Sequence, residues 1–173
     1  MNGATSVSLA LRLNHLDYDS LKATLTQCCA AQGWVHAMIN ARPYVDDAAV
    51  MKQAVEVWER LQPADWLEAF LAHPKIGDVD SLRAKYASTR DWASNEQAGV
   101  NAASVNVLRR LSELNREYEA KFGYIFIVCA TGKAAEEMLA ILESRLPSEP
   151  SIELRTAAQE QLKITLIRLQ KLA

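Results

Sequence analysis

Cysteine, glycine and proline are all scarce in this chain, and each scarcity excludes a class of protein. The 173 residues include three cysteines, six glycines and five prolines. Turn-rich sandwiches, barrels and collagen-like chains need more glycine and proline than this. Cys28 and Cys29 are adjacent, a spacing that strains a disulfide, and with Cys129 they match no zinc-binding pattern. We therefore expect three buried, reduced thiols inside the cell, and no metal site.

A surplus of charge and long hydrophobic runs are also missing. Nineteen basic residues against 21 acidic ones leave a net charge of -2, whereas a protein that binds duplex nucleic acid needs a basic surplus. No run approaches the roughly 18 to 20 apolar residues of a membrane span. Residues 1–13 do not resemble a signal peptide, and the last three residues are not a peroxisomal signal. Length and composition predict one cytoplasmic globular domain over residues 1–173, with two small domains as the alternative, and neither nucleic acid nor membrane as partner.

Helical periodicity dominates the chain, because apolar residues recur at spacings of three and four. Asp17 or Asp19 is expected to cap the first helix and Gly33 to break it. The other predicted helices lie near residues 34–40, 48–61, 63–73, 82–86, 94–99, 104–121, 134–146 and 152–172. Their expected start and stop residues are Asp46 or Asp47, Pro63, Ser94, Ser104, Gly123, Thr131 and Ser151. The pattern predicts an all-α, single-domain bundle of roughly eight helices.

Residues 124–130 break this periodicity. They read Tyr-Ile-Phe-Ile-Val-Cys-Ala, a continuous apolar run that alone would predict a buried strand. No second segment offers an obvious strand partner, so we expect a buried extended segment between helices. Its peptide groups must then bond to something else, and a ligand is one candidate.

The three histidines differ as candidates for chemistry. His15 is expected on the surface before the first helix, and His36 is expected to pack in the core or at its rim, beside Trp34. His73 ends an apolar helix and precedes Pro74, which restricts the backbone of the residue before it. A helix C-terminus also favours the imidazolium form. His73 is therefore a candidate acid or base, although the same features fit a plain helix cap.

A carboxylate and two arginines complete the candidate groups. Glu96 starts the run Glu-Gln-Ala-Gly. It can act as a catalytic carboxylate, or it can be there only because the dipole of a short helix stabilises a negative charge at its start. Arg168 lies among apolar residues of the last helix, and Arg145 competes with it as an anion ligand. The chain has no phosphate-binding glycine loop, no His-Glu-x-x-His and no Gly-x-Ser-x-Gly motif. Nucleotide enzymes and metalloenzymes are therefore poorly supported.

Five motifs in order resemble one family. They are Ala-Arg-Pro-Tyr at 41–44, His-Pro-Lys-Ile-Gly at 73–77, Glu-Gln-Ala-Gly at 96–99, the stretch 115–130 and Ile-Arg-Leu at 167–169. Together they resemble the OHCU decarboxylases of urate breakdown, which act on 2-oxo-4-hydroxy-4-carboxy-5-ureidoimidazoline. The resemblance runs from about Leu13 to Leu172.

The resemblance implies an all-α fold, usually a homodimer, and a cofactor-independent decarboxylation that yields (S)-allantoin. It implies that His73, Glu96 and Arg168 are catalytic. The residues implied to bind the small anionic substrate are Pro74, Ala93, Ser94, Gln97, Phe126, Ile127, Val128, Cys129 and Ala130. Ala93 is a departure, since many relatives carry a serine at that point. Arg145 is expected to be structural or solvent-facing, so Arg145→Lys should be mild.

Two other functions compete with this one. Another small cofactor-free decarboxylase or lyase would use the same kinds of residue. A non-catalytic helical interaction module could present a partner surface made of the four tryptophans, Trp34, Trp58, Trp66 and Trp92. A binding module, however, has no need for His73, Glu96 and Arg168 together.

Overall fold

The computed structural model describes residues 7–75, 78–86 and 98–173, and all side chains within them except those of 85–86 and 98–103. These described residues form nine α-helices and no strand, which confirms the all-α prediction. The helices are α1 (Leu9–His15), α2 (Tyr18–Cys28), α3 (Gln32–Asn40), α4 (Asp47–Arg60), α5 (Pro63–Leu71), α6 (Val79–Tyr86), α7 (Ala98–Phe122), α8 (Ala135–Arg145) and α9 (Pro150–Gln170).

The chain divides into two compact units. The first unit comprises Met1–Ala72 and Ala158–Ala173, and the second comprises His73–Ala157. Helices α1 to α5 belong to the first unit, α6 to α8 belong to the second, and α9 begins in the second and ends in the first. A single domain over residues 1–173 stays a prediction.

Three helices of the first unit, α2, α4 and α5, begin where short polar side chains and a proline predict them. The carboxylate of Asp17 accepts from the backbone N–H of Ser20 at 2.8 Å and so caps α2. Asp46 caps α4 in the same way, through the N–H of Ala49 at 2.7 Å. Pro63 occupies the first turn of α5, where its missing N–H leaves no bond unmade. These starts confirm the sequence prediction.

Two tryptophans belong to the core of the first unit. Trp34 and Trp58 are buried, and their indole N–H groups donate to the carbonyls of Ala54 and Ala158 at 3.1 and 2.9 Å. Trp66 is half-buried, and its ring lies 6.3 Å from that of Trp58. Trp92 lies outside the described residues. A partner surface made of tryptophans is therefore wrong for Trp34 and Trp58.

The Ala-Arg-Pro-Tyr motif fixes the loop between α3 and α4. Asn14 of α1 exchanges two hydrogen bonds with the backbone of Tyr44, at 2.8 and 2.9 Å. Arg42 donates to the carbonyls of Leu13 and Leu16 at 3.3 and 3.0 Å. This motif therefore has a structural role within the first unit.

Three helices that begin in the second unit start differently from the sequence prediction. Helix α8 follows Ala134, which makes no side-chain cap, so Thr131 is wrong as its cap. Helix α9 begins at Pro150 rather than after Ser151, because a proline suits the first helical position. Helix α7 begins at Ala98, so Ser104 lies inside it rather than at its start.

The first unit also differs from prediction around its histidines and Gly33. Gly33 is the second residue of α3 rather than a break between helices, since α2 already ends at Cys28. His15 is exposed as expected, but it closes the unpredicted helix α1. His36 is exposed on α3, so core packing, one of the two positions expected for it, is wrong.

The end of α7 positions the only long apolar segment that is not helical among the described residues. Gly123 follows α7 with a φ of 83°, the left-handed conformation that favours glycine after a helix. Residues 124–130 then form neither helix nor strand, as predicted. This segment leads through Gly132, which also has a positive φ, into α8.

Candidate active site

His73 and Pro74 lie at the exit from α5. The helix ends at Leu71, Ala72 is its C-cap, and His73 follows directly with a half-buried side chain. Pro74 is exposed beside it. A half-buried imidazole on restricted backbone retains access to a ligand while its conformational freedom is reduced.

A cavity of about 50 Å³ joins two of the sequence motifs. One wall comes from the start of the His-Pro motif and another from the apolar segment after α7. Pro74 and Phe126 line the same cavity. The fold therefore brings together two residues that the family resemblance implies to bind the substrate. The lining residues are Pro74, Lys75, Asn115, Arg116, Glu119, Ile125 and Phe126.

Charged groups border this cavity. Lys75 and Glu119 form an ion pair at 2.9 Å, and both side chains are partly exposed. Asn115 donates to the carbonyl of Leu111 at 2.8 Å, which fixes its amide on the surface of α7. The sequence motif contained Asn115, but only the structure gives it a position at the cavity.

Burial alternates along residues 126–130. Ile127 and Cys129 are buried, whereas Phe126, Val128 and Ala130 are half-buried. This period of two is typical of extended chain, in which successive side chains point to opposite sides. The segment therefore has one side in the core of the second unit and another that is more open.

Side chains satisfy part of the backbone of this segment. Arg145 donates to the carbonyl of Ile127 at 2.7 Å, and Lys133 donates to the carbonyl of Cys129 at 2.9 Å. Within the described residues, the backbone groups of Phe126 and Val128 make no hydrogen bond. The sequence predicted that these peptide groups need partners, and two basic side chains provide some of them.

Arg145 belongs to a buried network. The side chains of Arg145 and Glu153 are 9% and 1% exposed. One carboxylate oxygen of Glu153 accepts from Arg145 Nε at 2.8 Å, from Arg145 Nη2 at 2.5 Å and from the hydroxyl of Tyr118. The structural role expected for Arg145 is confirmed, and the solvent-facing alternative is wrong.

The network is dry enough to change the ionisation of its phenol. Burial raises the pKa of Tyr118 far above its ordinary value, and the hydrogen bond to Glu153 raises it further. The positive charge of Arg145 opposes this change but does not outweigh it. Tyr118 therefore remains a neutral hydrogen-bond donor at any physiological pH.

Arg168 lies in the first unit, near the end of α9. Its side chain is half-buried, and Nη1 lies 3.3 Å from the carbonyl oxygens of both Gln27 and Cys28, at the C-terminus of α2. A guanidinium is favourable there, because carbonyl groups at a helix end carry partial negative charge. No carboxylate pairs with Arg168 in the described part of the chain.

The cysteines are buried and free, as predicted. Burial raises the thiol pKa of Cys28 and of Cys29 to about 11. The charge of Arg168 lowers both values, but burial dominates. These thiols are therefore protonated and poor nucleophiles at neutral pH.

Four predicted site residues lie outside the described residues. They are the candidate catalytic carboxylate Glu96 and the candidate contacts Ala93, Ser94 and Gln97. Their roles stay predictions. Of the described candidates, His73, Pro74 and residues 126–130 belong to the second unit, and Arg168 belongs to the first.

Sequence reasoning missed Glu153 because it followed apolar residues along α9. The sequence series at spacings of three and four is Leu154, Ala158, Leu162, Thr165 and Leu169, and its first residue, Leu154, is only half-buried. The buried stripe instead recurs every four residues and includes polar side chains: Glu153, Ala157, Gln161, Thr165 and Leu169. Glu153 lies four helical spacings of four residues before the buried Leu169, and this spacing could have predicted that Glu153 is buried.

No group of three or more His, Cys, Asp or Glu side chains among the described residues is arranged to hold a metal ion. None of the helices they form is long and apolar enough to cross a membrane.

Comparison with known proteins decides the family. The family model described as OHCU decarboxylase matches residues 14–170. The chain belongs to the OHCU decarboxylase family. The resemblance stated from the five motifs is thereby confirmed, and it covers nearly the whole chain.

Individual members of the OHCU decarboxylase family align at moderate identity. The uric acid degradation bifunctional protein TTL of Arabidopsis thaliana is 37% identical over 146 residues, which are 84% of this chain and 45% of that protein. The 2-oxo-4-hydroxy-4-carboxy-5-ureidoimidazoline decarboxylase of Amia calva is 28% identical over 160 residues, 92% of this chain and 91% of that protein. This chain thus spans less than half of the bifunctional relative.

A solved structure supports the same family fold. A crystal structure of OHCU decarboxylase in the presence of (S)-allantoin aligns with a TM-score of 0.68 and 34% sequence identity. The alignment covers 85% of this chain and 94% of that one. The family's all-α fold therefore agrees with the nine helices formed by the described residues.

Proposed function

We propose that this chain catalyses the decarboxylation of 2-oxo-4-hydroxy-4-carboxy-5-ureidoimidazoline to (S)-allantoin in urate degradation. The observation that carries the proposal is the cavity that Pro74 and Phe126 line together. These residues come from separate family motifs, and both belong to the set that the family resemblance assigns to substrate. Membership of the OHCU decarboxylase family supports the same activity.

The substrate provides its own electron sink. Its carboxylate is attached to a ring carbon that bears a hydroxyl and adjoins a C=N bond. When carbon dioxide leaves, the electron pair of the broken bond forms a C=C bond to the ureido-bearing carbon, and the C=N pair moves onto the ring nitrogen, which takes up a proton. Loss of the hydroxyl proton and protonation of the ureido-bearing carbon then give allantoin. Such a reaction proceeds without a cofactor.

The proposed catalytic residues manage charge and protons. Arg168 would orient the anionic substrate through charge-assisted hydrogen bonds, since no carboxylate in the described residues neutralises its guanidinium. Glu96 and His73 would contact the hydroxyl group and move its proton. The half-buried position of His73 beside Pro74 supports this role.

Residues 126–130 are proposed to hold the ring. The carbonyls of Ile127 and Cys129 already accept from side chains, whereas the backbone groups of Phe126 and Val128 remain available within the described residues. Contacts from Pro74, Ala93, Ser94, Gln97 and Ala130 would complete the site. A ring held on one side receives its proton from one face, which would give the S configuration.

We also propose a cytoplasmic homodimer. The family resemblance implies the dimer, and apolar side chains such as Val45 and Leu71, which are 90% and 85% exposed, suit an interface between copies. Three free, buried cysteines suit a reducing compartment. Sedimentation equilibrium would test the dimer, because a monomer at micromolar concentration contradicts it.

The decisive experiment measures both rate and stereochemistry. Freshly generated substrate decays without help, so absorbance decay and circular dichroism of the product should be followed with and without the protein. We expect faster decay and an excess of (S)-allantoin. His73→Asn should lower kcat/KM by about 10²- to 10⁴-fold, the usual loss when a positioned acid or base is removed.

A second histidine gives a matched control. His36→Asn makes the same change on the exposed side of α3 and should leave both rate and far-UV circular dichroism unchanged. The proposed function is wrong if the unaltered protein neither accelerates decay nor favours one enantiomer. Near-normal turnover by His73→Asn would instead limit His73 to a structural role after α5.

A further inference from the structure

We propose that Arg145 is the positioning residue of this site, and that its guanidinium holds the 126–130 segment in the shape that binds substrate. The inference rests on the proposed function and extends it to a side chain that does not line the cavity. Arg145 acts through Phe126 and Ile127, so it is not a catalytic residue in the sense of touching the reacting atoms.

The guanidinium of Arg145 contacts three groups at once. Nη1 donates to the carbonyl of Ile127 at 2.7 Å, while Nε and Nη2 donate to Glu153 at 2.8 and 2.5 Å. The centre of the same group lies 4.7 Å from the ring centroid of Phe126. A planar fork with separate donors can make all these contacts at once.

Phe126 connects the guanidinium of Arg145 to the cavity. Phe126 is itself a cavity residue, and its ring also meets the ring of Tyr118 edge-on at 5.3 Å. Arg145 therefore fixes the backbone on one side of Phe126 and stacks on the ring. A shift of this guanidinium would move the cavity wall and the backbone groups proposed to hold the substrate ring.

The buried pair of Arg145 and Glu153 needs a reason other than stability. An Arg–Glu pair with this degree of burial is weak evidence for stability, because desolvation offsets most of its attraction. Apolar side chains of similar volume would fill the space at least as well for folding. Only a fork of donors, however, can bind a backbone carbonyl and a carboxylate while covering an aromatic face, so the pair is explained better by positioning than by stability.

The test compares variants that separate positioning from stability. Arg145→Lys keeps the positive charge opposite Glu153 but cannot span Ile127, Glu153 and the ring together. The sequence alone suggested a mild effect for this variant, but the buried contacts of Arg145 replace that expectation. We expect KM for the ureidoimidazoline substrate to rise about tenfold, as for one lost charged hydrogen bond, with a smaller change in kcat. Glu153→Gln removes the negative charge beside Arg145, so it should lower the melting temperature. It keeps an oxygen that accepts from Arg145, so the guanidinium stays in place and KM should remain within about threefold of the unaltered value.

Two further variants keep the outcome interpretable. Arg155→Lys, on the exposed side of α9, is the matched control and should change neither KM nor melting temperature. The double variant Arg145→Gln/Glu153→Gln leaves no buried charge without a partner, so it remains testable if Arg145→Lys does not fold, and it should show the same rise in KM. The proposal is overturned if the folded Arg145 variants have the KM of Arg155→Lys. Failure of the proposed function would look different, because the unaltered protein would then not turn over the substrate.

Discussion

Arg145 and Arg168 both lie near the C-terminus of a helix, but their surroundings differ. In the second unit, Arg145 is buried and divides its donors between the carboxylate of Glu153 and the carbonyl of Ile127. In the first unit, Arg168 is half-buried and, within the described residues, approaches backbone carbonyls without a carboxylate. The charge of Arg145 is therefore neutralised by Glu153, whereas the charge of Arg168 is not neutralised by any carboxylate among the described residues.

The difference shows that two arginines in similar sequence contexts can have different roles, one in holding the fold and one in binding an anion. Both arginines precede leucine near a helix end, so local sequence makes either a plausible anion ligand. A guanidinium already bound to a buried carboxylate gains little from a second anion, whereas an uncompensated one gains a charge-assisted hydrogen bond. The partners therefore favour Arg168 as the substrate ligand and Arg145 as its structural counterpart.

Removing the carboxylate should have the largest effect on stability. Glu153→Leu leaves the guanidinium of Arg145 buried without its counter-ion, so the free energy of unfolding should fall by about 3–5 kcal/mol. The double variant Arg145→Met/Glu153→Leu should recover most of that loss. Urea unfolding followed by circular dichroism measures both.

The corresponding change in the first unit should be small. Arg168→Met removes a half-exposed side chain with no carboxylate partner among the described residues, so it should cost less than about 1 kcal/mol. If it destabilises the protein more than Glu153→Leu does, the two arginines have been assigned the wrong way round.

Activity should reverse this order. Arg168→Lys keeps the charge but loses the bidentate fork. It should lower kcat/KM on fresh substrate by about 10- to 100-fold, the range for losing a hydrogen bond to a charged group. Its melting temperature should remain close to that of Arg155→Lys, the exposed control on the same helix. Steady-state turnover at the level of that control would exclude Arg168 from the site and leave the anion ligand to be found elsewhere.

The stability of the protein at alkaline pH tests how dry the surroundings of Arg168 are, because Cys28 lies beside it. Burial raises the pKa of the Cys28 thiol from 9.0 to about 11 in spite of the nearby guanidinium. Between these values the folded state keeps a proton that the unfolded state has lost, so stability is fully present below pH 9 and falls as the pH rises towards 11. Cys28→Ala should remove about 1–2 kcal/mol of that fall.

Urea unfolding at pH 8, 9 and 10 measures this slope directly. The comparison is between slopes, so a uniform loss of stability from the smaller alanine does not affect it. An unchanged slope in Cys28→Ala would mean that the thiol is not shielded from water in the folded protein.

Much of the fold could be predicted because its signals are local. Asp17 and Asp46 mark helix starts through bonds to the next turn, and residues 124–130 announce a non-helical segment by composition. The network of Arg145 could not be predicted, since its partners Tyr118, Ile127 and Glu153 come from three segments that no period connects. Local sequence patterns predict the helix on which an arginine lies, but only the tertiary structure determines which distant groups it binds.

Two glycines, one in each unit, give the smallest and cleanest test of this distinction. Both were expected to lie between helices, yet Gly33 is inside α3 with ordinary backbone angles, whereas Gly123 follows α7 at a φ of 83°. A Cβ on Gly33 would meet Leu61 Cδ2 at 3.4 Å and Asp65 Oδ1 at 3.5 Å, which is ordinary contact. Gly33→Ala should therefore stabilise the protein by about 0.5 kcal/mol through higher helix propensity.

Gly123→Ala should act in the opposite direction. A Cβ there meets no atom within 4 Å, so crowding contributes nothing and the positive φ alone makes alanine unfavourable. The left-handed conformation costs an L-residue about 1 kcal/mol, and the free energy of unfolding should fall by that amount. Paired urea titrations resolve a difference of this size because the two substitutions are chemically identical. Equal signs for the two variants would contradict the contrast between a helical Gly33 and a left-handed Gly123.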